Sequence, residues 1–252
     1  MSVRLLLLLL LLAAAAARAE IPLAERRSGY AFMGRDTRAM QDDDAVNPAT
    51  LWVLDGEELW RRKAGAAGES CADCHALERM RGVAARYPAV RGGELVSLEQ
   101  QVNVCRVERQ KARAFGYESR ELLSLGALIG RQSRGMPIAV EMTPQTRPYL
   151  EAGRALFERR EGQLNLACSQ CHDERWGEKL GGAPIPQAHP TGYPIYRLEW
   201  QALGSLKRRL RNCLVGMRTE AWDFTDPQYV LLELYLMQRA RGLALDAPAV
   251  RP

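Results

Sequence analysis

Histidine is scarce in this sequence, with three residues among 252. Long apolar runs are scarce too, since after residue 19 no stretch is apolar over the about 20 residues needed to span a bilayer core. This second absence predicts a mature chain without a membrane-spanning helix. Removing residues 1–19 takes away two arginines and no acidic residue, so the formal net charge falls from +5 to +3. A charge this small does not indicate a nucleic-acid partner.

The first residues have the pattern of an export signal. Arg4 precedes an apolar run over residues 5–17, and residues 17–19 have the small-x-small form that signal peptidase cleaves. The run is shorter than the about 20 residues that a membrane anchor needs. We therefore predict a cleaved signal peptide over residues 1–19 and a periplasmic location.

Six cysteines in an exported chain would ordinarily predict three disulfides. Here, however, four of them lie in two Cys-x-x-Cys-His motifs. Two thiols at this spacing can each bond one vinyl group of a haem, and the adjacent histidine then binds the iron. The sequence therefore predicts two covalently bound haem c groups. The residues that would attach them are Cys71, Cys74, Cys168 and Cys171, with His75 and His172 as iron ligands.

The two motifs belong to an internal repeat. A Gly-x-x-Leu-aromatic segment begins fifteen residues before each motif, at Gly56 and at Gly153. One further cysteine follows each motif, Cys105 in the first half and Cys213 in the second. This arrangement indicates duplication of a unit of roughly 100 residues, the size of one domain.

Helical patterns dominate both halves. Residues 50–63 and 147–160 have apolar positions at helical spacing and few β-branched residues, and segments 121–129 and 229–237 predict amphipathic helices. No stretch indicates an extended sheet. The predicted fold is all-α, with two tandem cytochrome c-like domains of class I type and an N-terminal extension. The predicted divisions are the signal peptide (1–19), the extension (20–49), domain 1 (50–143) and domain 2 (144–252).

Each iron needs a second axial ligand. His189 is the only histidine outside the motifs and cannot serve both irons, which leaves methionine or cysteine. Met136 and Met217 are the candidate methionines, whereas Cys105 and Cys213 hold equivalent positions in the repeat. A disulfide between these two cysteines is the structural alternative in an oxidising compartment. We favour histidine–cysteine ligation at both sites.

The surroundings of the two cysteines differ in charge. Residues 197–218 contain six cations and one acid, and Arg209 lies four positions before Cys213. In a helix these two residues share a face, where a guanidinium would offer paired donors to an oxyanion. Gln101 is the corresponding residue before Cys105. The second site is therefore predicted to receive a small anion and the first to store electrons, unless the arginines form a solvated face or bind haem propionates.

The second half contains the segments His189–Trp200, Arg209–Cys213 and Leu232–Leu236. These three segments resemble the SoxA family of bacterial sulfur-oxidation cytochromes. The resemblance extends over nearly the whole mature chain. Since both haem motifs and both additional cysteines are present, the chain is similar to the dihaem form of the family.

The resemblance implies an L-cysteine S-thiosulfotransferase. Such an enzyme joins thiosulfate oxidatively to a cysteine of a SoxYZ-type carrier, giving a cysteine S-thiosulfonate. It implies that Cys213 ligates the second haem and carries an extra sulfur as a persulfide, and that Arg209 binds the substrate anion. Cys105 would ligate the first haem. Two electrons would pass through haem and a SoxX-type monohaem partner subunit to a mobile cytochrome c.

Two other functions stay open from the residues alone. One is a dihaem electron carrier without substrate chemistry. The other is a different dihaem oxidoreductase, either a thiosulfate dehydrogenase or a peroxidase. A peroxidase requires one iron with an open or displaceable position, which ligation by cysteine at both irons would not provide.

Overall fold

The computed structural model describes residues 21–252, so the predicted signal peptide lies outside the described part. Within residues 21–252, the helices are α1 (Arg35–Asp42), α2 (Thr50–Arg61), α3 (Cys71–Cys74), α4 (Leu98–Glu108), α5 (Arg120–Gln132), α6 (Arg147–Glu158), α7 (Cys168–His172), α8 (Leu206–Gly216) and α9 (Pro227–Arg239). The strands are β1 (Ala89–Arg91), β2 (Glu94–Val96), β3 (Lys179–Leu180), β4 (Ala183–Pro184), β5 (Ile195–Arg197), β6 (Ala202–Gly204) and β7 (Ala249–Arg251). None of the helices in this range has the length and apolar composition to cross a membrane.

The repeat predicted from the sequence is visible as one order of elements that occurs twice. Each half has a leading helix (α2 or α6), a short haem-motif helix (α3 or α7), a β-hairpin (β1–β2 or β5–β6), a helix that carries the additional cysteine (α4 or α8) and a closing helix (α5 or α9). The leading helices confirm the predictions for residues 50–63 and 147–160, although both end two residues earlier.

The glycines that mark the repeat lie where the leading helix of each half crosses the closing helix. A Cβ atom at Gly56 would be 2.4 Å from the carbonyl oxygen of Ser124 in α5. A Cβ atom at Gly153 would be 2.1 Å from the carbonyl oxygen of Leu231 in α9. No side chain fits at such distances, so glycine allows the two backbones to approach this closely.

The closing helix α5 lies in the centre of the molecule. This helix forms where it was predicted, with its charged residues near its two ends, and every residue from 122 to 130 is buried. A Cβ atom at Gly130 would lie 3.1 Å from the Cβ of Ala247 in the second half, and Leu128 belongs to the same buried cluster as Leu234. The two halves therefore share one core.

The strands form three small sheets that the sequence did not predict. β1–β2 and β3–β4 are hairpins, and β6–β5–β7 is a three-stranded sheet in which β5 pairs antiparallel with β6 and parallel with β7. Each strand has only two or three residues, so no alternating pattern develops along it. The fold remains mostly helical, as expected.

The N-terminal extension is attached to both halves. The Arg27 backbone N–H donates to Gln187 Oε1 at 2.7 Å, and Gln187 Nε2 donates to the Glu25 carbonyl oxygen at 3.1 Å. Asp44 lies 3.0 Å from the guanidinium of Arg134, in the turn after α5. These contacts hold the extension across the second half and anchor its end on the first.

Candidate functional site

Each half encloses a cavity lined by its motif histidine and its additional cysteine. The first cavity brings together four residues predicted from the sequence, namely Cys71, Cys74, His75 and Cys105. The second cavity is lined by His172, Arg209 and Cys213. Cys168 and Cys171 lie close enough to Cys213 for its charge to contribute to raising the pKa of both thiols, although burial is the larger cause.

Short capped helices present the haem motifs. Ser70 Oγ accepts a hydrogen bond from the Asp73 N–H at 3.1 Å, and Asp73 Oδ2 accepts one from the Ser70 N–H at 2.7 Å. This reciprocal capping box begins helix α3. In the second half, Gln170 Oε1 accepts from the Ala167 N–H at 2.8 Å. The caps fix the turn from which the motif thiols project.

The histidine of the second motif is oriented by the backbone. His172 Nδ1 lies 2.6 Å from the Pro186 carbonyl oxygen, to which it donates as the neutral Nδ1–H tautomer. Nε2 is then the nitrogen left to bind a metal. Burial is the main cause that lowers the pKa of His172, which favours the neutral imidazole that a ligand requires.

The structure distinguishes among the candidate second ligands. Cys105 and Cys213 are both free thiols, each on the wall of its own cavity, so the disulfide alternative is wrong. Met136 packs beside Gly82, where a Cβ atom would lie 3.0 Å from Met136 Cε, and Met217 follows the last turn of α8. Neither methionine lines the cavities described here. Between these two methionines and the two cysteines, only the cysteines line the cavities.

Arg209 and Cys213 lie on the same face of α8, as the helical spacing predicts. Arg209 Nη1 donates to Cys213 Sγ at 3.2 Å, and both residues line the second cavity. Ser205 starts this helix by accepting a hydrogen bond from the Arg208 N–H at 3.1 Å. The charge of Cys213 raises the pKa of Arg209, so a permanent cation stands beside the sulfur.

The first cavity has the same helix geometry, with a neutral residue at the position of Arg209. Gln101 Nε2 donates to Cys105 Sγ at 3.5 Å, also from one turn earlier in the helix. Ser97 caps α4 as Ser205 caps α8. The two cysteines therefore differ mainly in whether a neutral amide or a guanidinium faces the sulfur.

His189 lines the second cavity but is tied to the N-terminal extension. Its Nδ1 lies 2.8 Å from the Arg27 carbonyl oxygen, and burial is the main cause that lowers its pKa to about 4. The ring is therefore neutral over the physiological range. This agrees with its predicted place as a loop residue near the second site.

Several residues around the second cavity were not predicted. Gly29, Phe32 and Met33 of the extension line it, and so does Arg251 of β7. Tyr193 also lines it, and burial raises the pKa of this phenol to about 12. No local sequence pattern connects these distant segments to the haem motif, because the fold alone brings them together.

The donor sets fit haem c at both cavities. Each half offers two motif thiols three residues apart for thioether bonds, a motif imidazole and one further thiol. The walls are largely apolar, as a porphyrin requires. They include Leu98, Val102, Leu125 and Ile129 in the first cavity, and Ile195, Leu206, Leu210 and Leu236 in the second.

Comparison with known proteins identifies the family. The family model of the SoxA/TsdA cytochrome c domain matches residues 55–138 and 152–245. The L-cysteine S-thiosulfotransferase subunit SoxA of Rhodovulum sulfidophilum is 34% identical over 231 residues, which cover 90% of this chain and 80% of that protein. The SoxA subunit of Paracoccus pantotrophus is also 34% identical, over 227 residues that cover 89% of this chain and 78% of that protein.

A solved structure supports the same assignment. A chain in the crystal structure of SoxXA from P. pantotrophus superimposes with a TM-score of 0.87 at 33% identity, covering 90% of this chain and 87% of the other. The family model matches a segment in each half. The chain is a c-type cytochrome that belongs to the SoxA family.

Proposed function

We propose that this chain is the dihaem subunit of an L-cysteine S-thiosulfotransferase. It couples thiosulfate oxidatively to a cysteine of a SoxYZ-type carrier protein. Relatives that match about 90% of the chain have this activity in their names. The observation that carries the proposal is the 3.2 Å contact between Arg209 Nη1 and Cys213 Sγ in the cavity of the second half.

The overall reaction balances as a two-electron oxidation. A new S–S bond forms between the carrier sulfur and the outer sulfur of thiosulfate, while the S–H bond of the carrier cysteine breaks. The proton passes to solvent and two electrons are released. Two molecules of oxidised c-type cytochrome each accept one of them, and the carrier keeps a cysteine S-thiosulfonate.

Arg209 and Cys213 have separate roles in this proposal. Arg209 binds the thiosulfate anion through its guanidinium, which offers paired N–H donors to oxyanions. Cys213 would hold the second haem iron and would carry an extra sulfur as a persulfide. The surrounding apolar side chains, Ile195 and Leu210 among them, lower the local dielectric and strengthen the attraction between the guanidinium and the anion.

Two covalently bound haem c groups complete the proposed cofactor set. When bound, haem supplies a one-electron acceptor for the oxidation. The four motif cysteines attach the two groups, and the proposed iron ligands are His75 with Cys105 and His172 with Cys213. The first haem would assist electron flow, since Gln101 offers no cation for a substrate anion beside Cys105.

The proposed partners follow from the relatives. The similar solved chain comes from a SoxXA structure, which supports a SoxX-type monohaem cytochrome as the partner subunit. A mobile cytochrome c would accept the electrons. The N-terminal pattern supports export to the periplasm, and the repeat supports domain divisions at residues 50–143 and 144–252, after an extension over 20–49.

A reconstituted assay tests the proposal. The chain with a SoxX-type partner, thiosulfate, oxidised cytochrome c and a SoxYZ-type carrier should add about 112 Da, the mass of S2O3, to the carrier. Two cytochromes should be reduced for each adduct. A carrier whose reactive cysteine is replaced by serine should show neither change. Formation of tetrathionate without a carrier adduct would instead identify a thiosulfate dehydrogenase.

A further inference from the structure

An arginine occurs at the same place in both cavities. Arg91 ends strand β1 and Arg197 ends strand β5, the first strand of the hairpin in each half. Both strands begin two residues earlier, and both hairpins lead directly into the serine cap of the cysteine helix. Arg91 lines the first cavity and Arg197 lines the second. The two residues are therefore equivalent positions of the repeat.

A tyrosine accompanies each arginine. Tyr87 lies four residues before Arg91, and Tyr193 lies four residues before Arg197. Each tyrosine lines the same cavity as its arginine. The Arg91 guanidinium is 5.7 Å from the ring centroid of Tyr87. A cation and a phenol thus recur together beside each haem motif.

The second arginine has an unused donor. Arg197 Nε is buried and has no hydrogen-bond partner within residues 21–252. The Glu199 carboxylate lies 3.1 Å from this nitrogen but is not aligned to accept from it. The Arg197 side chain is only 17% exposed. Leaving a buried guanidinium donor unsatisfied is costly, so an acceptor belonging to the complete site is expected here.

A residue type that recurs at equivalent positions in both halves is expected to support a function that both cavities share. The substrate chemistry belongs to one cavity, where Arg209 replaces the Gln101 of the other. Haem attachment belongs to both, and haem c carries two propionate carboxylates that need cationic or polar partners. Arg106 also lines the first cavity, but Leu214 holds the equivalent position in the second half.

We propose that Arg91 and Arg197 bind the haem propionates, each in its own half, with Tyr87 and Tyr193 beside them. Guanidinium is suited to this task because it forms paired, charge-assisted hydrogen bonds with a carboxylate. The inference rests on the proposal that both halves bind haem. It does not depend on thiosulfate chemistry.

The test measures the reduction potential of each haem in the complete chain. A cation near iron disfavours the ferric state, so its removal lowers the potential. Arg91→Gln should lower one of the two potentials, and Arg197→Gln should lower the other. Arg91→Lys and Arg197→Lys keep the positive charge, so the reduction potentials of these variants should stay close to the wild-type values. Arg35→Gln, which removes a 96% exposed guanidinium, is the matched control and should move neither potential.

The outcomes separate this inference from its alternatives. Selective loss of haem from a glutamine variant, with haem retained in the lysine variant and the control, also supports propionate binding. Potentials equal to the wild type in both glutamine variants would overturn the inference. A raised KM for thiosulfate in Arg197→Gln at unchanged potentials would assign Arg197 to the substrate instead. One haem per wild-type chain would contradict the two-haem proposal itself, whatever the variants show.

Discussion

The two halves of this chain have the same framework around different chemistry. Each has a capped motif helix, a hairpin, and a cysteine helix that begins at a serine. In the second half Arg209 donates to the cysteine sulfur, whereas in the first half Gln101 does so. One difference at an equivalent position therefore places a guanidinium beside one cysteine sulfur and a neutral amide beside the other. The repeat provides a control for the proposed active site within the same molecule.

Replacing Cys213 or Cys105 by serine, one at a time, should give the largest difference in transfer rate between the two halves. Cys213→Ser removes the proposed sulfur-bearing group, and thiosulfate-dependent transfer should fall by more than about 1000-fold, as for loss of a catalytic nucleophile. Cys105→Ser should alter the haem spectrum and reduce transfer by about tenfold at most. Steady-state assays with the carrier measure both. Equal losses in the two variants would remove the asymmetry on which the proposed function depends.

Replacing the side chain that donates to each cysteine sulfur should give the next largest difference in transfer rate. Arg209→Ala should retain bound haem but lose about 100-fold in transfer rate, the loss typical of a single oxyanion-binding donor. Gln101→Ala is the matched variant in the first half and should change the rate far less. Haem content and absorption spectra check that both proteins are intact. Full turnover by Arg209→Ala would exclude this residue from the site.

The persulfide proposal predicts a difference in mass between two peptides. The peptide that contains Cys213 should carry an extra 32 Da, about the mass of one sulfur atom, and the peptide that contains Cys105 should not. Reduction with dithiothreitol should remove the added mass. Mass spectrometry of a digest prepared without reductant measures it. The same addition on both cysteines would indicate nonspecific sulfuration.

The two glycine helix crossings should lose similar amounts of stability when alanine replaces glycine, and this comparison tests how equivalent the two halves are. Gly56→Ala and Gly153→Ala place a Cβ atom within 2.4 Å of a carbonyl oxygen, so each should destabilise the fold by about 1–3 kcal/mol. Urea unfolding of the haem-bound proteins measures the change. Gly34→Ala, at a position with open space around it, is the control. Stability equal to the control in either glycine variant would contradict the close crossing.

Local patterns predicted much of this architecture. The haem motifs, the leading helices and the shared face of Arg209 and Cys213 are all set by spacings of a few residues, which a helix converts directly into geometry. The preference for Cys213 over Met217 came from the repeat, and the structure agrees with it, because both lie near the end of α8 and only Cys213 lines the cavity.

Other features depend on contacts between distant segments. The wall that Phe32 and Arg251 contribute to the second cavity joins residues more than two hundred positions apart. The helical pattern of α5 predicted the helix but not the burial of its middle on all sides. Residues of the second half such as Ala247 complete that burial. The sequence pattern of a helix shows its apolar face but not which other elements pack against its remaining faces.

Because α5 lies in the shared core, loss of the first haem and loss of the first half of the chain have different consequences. Without this helix, the second half would expose apolar surface that Leu128 and its neighbours now cover. Mutational loss of the first haem motif would cost a redox group, whereas deletion of the first unit would cost the fold. A descendant could therefore become a single-haem protein while keeping the length and outline of its ancestor.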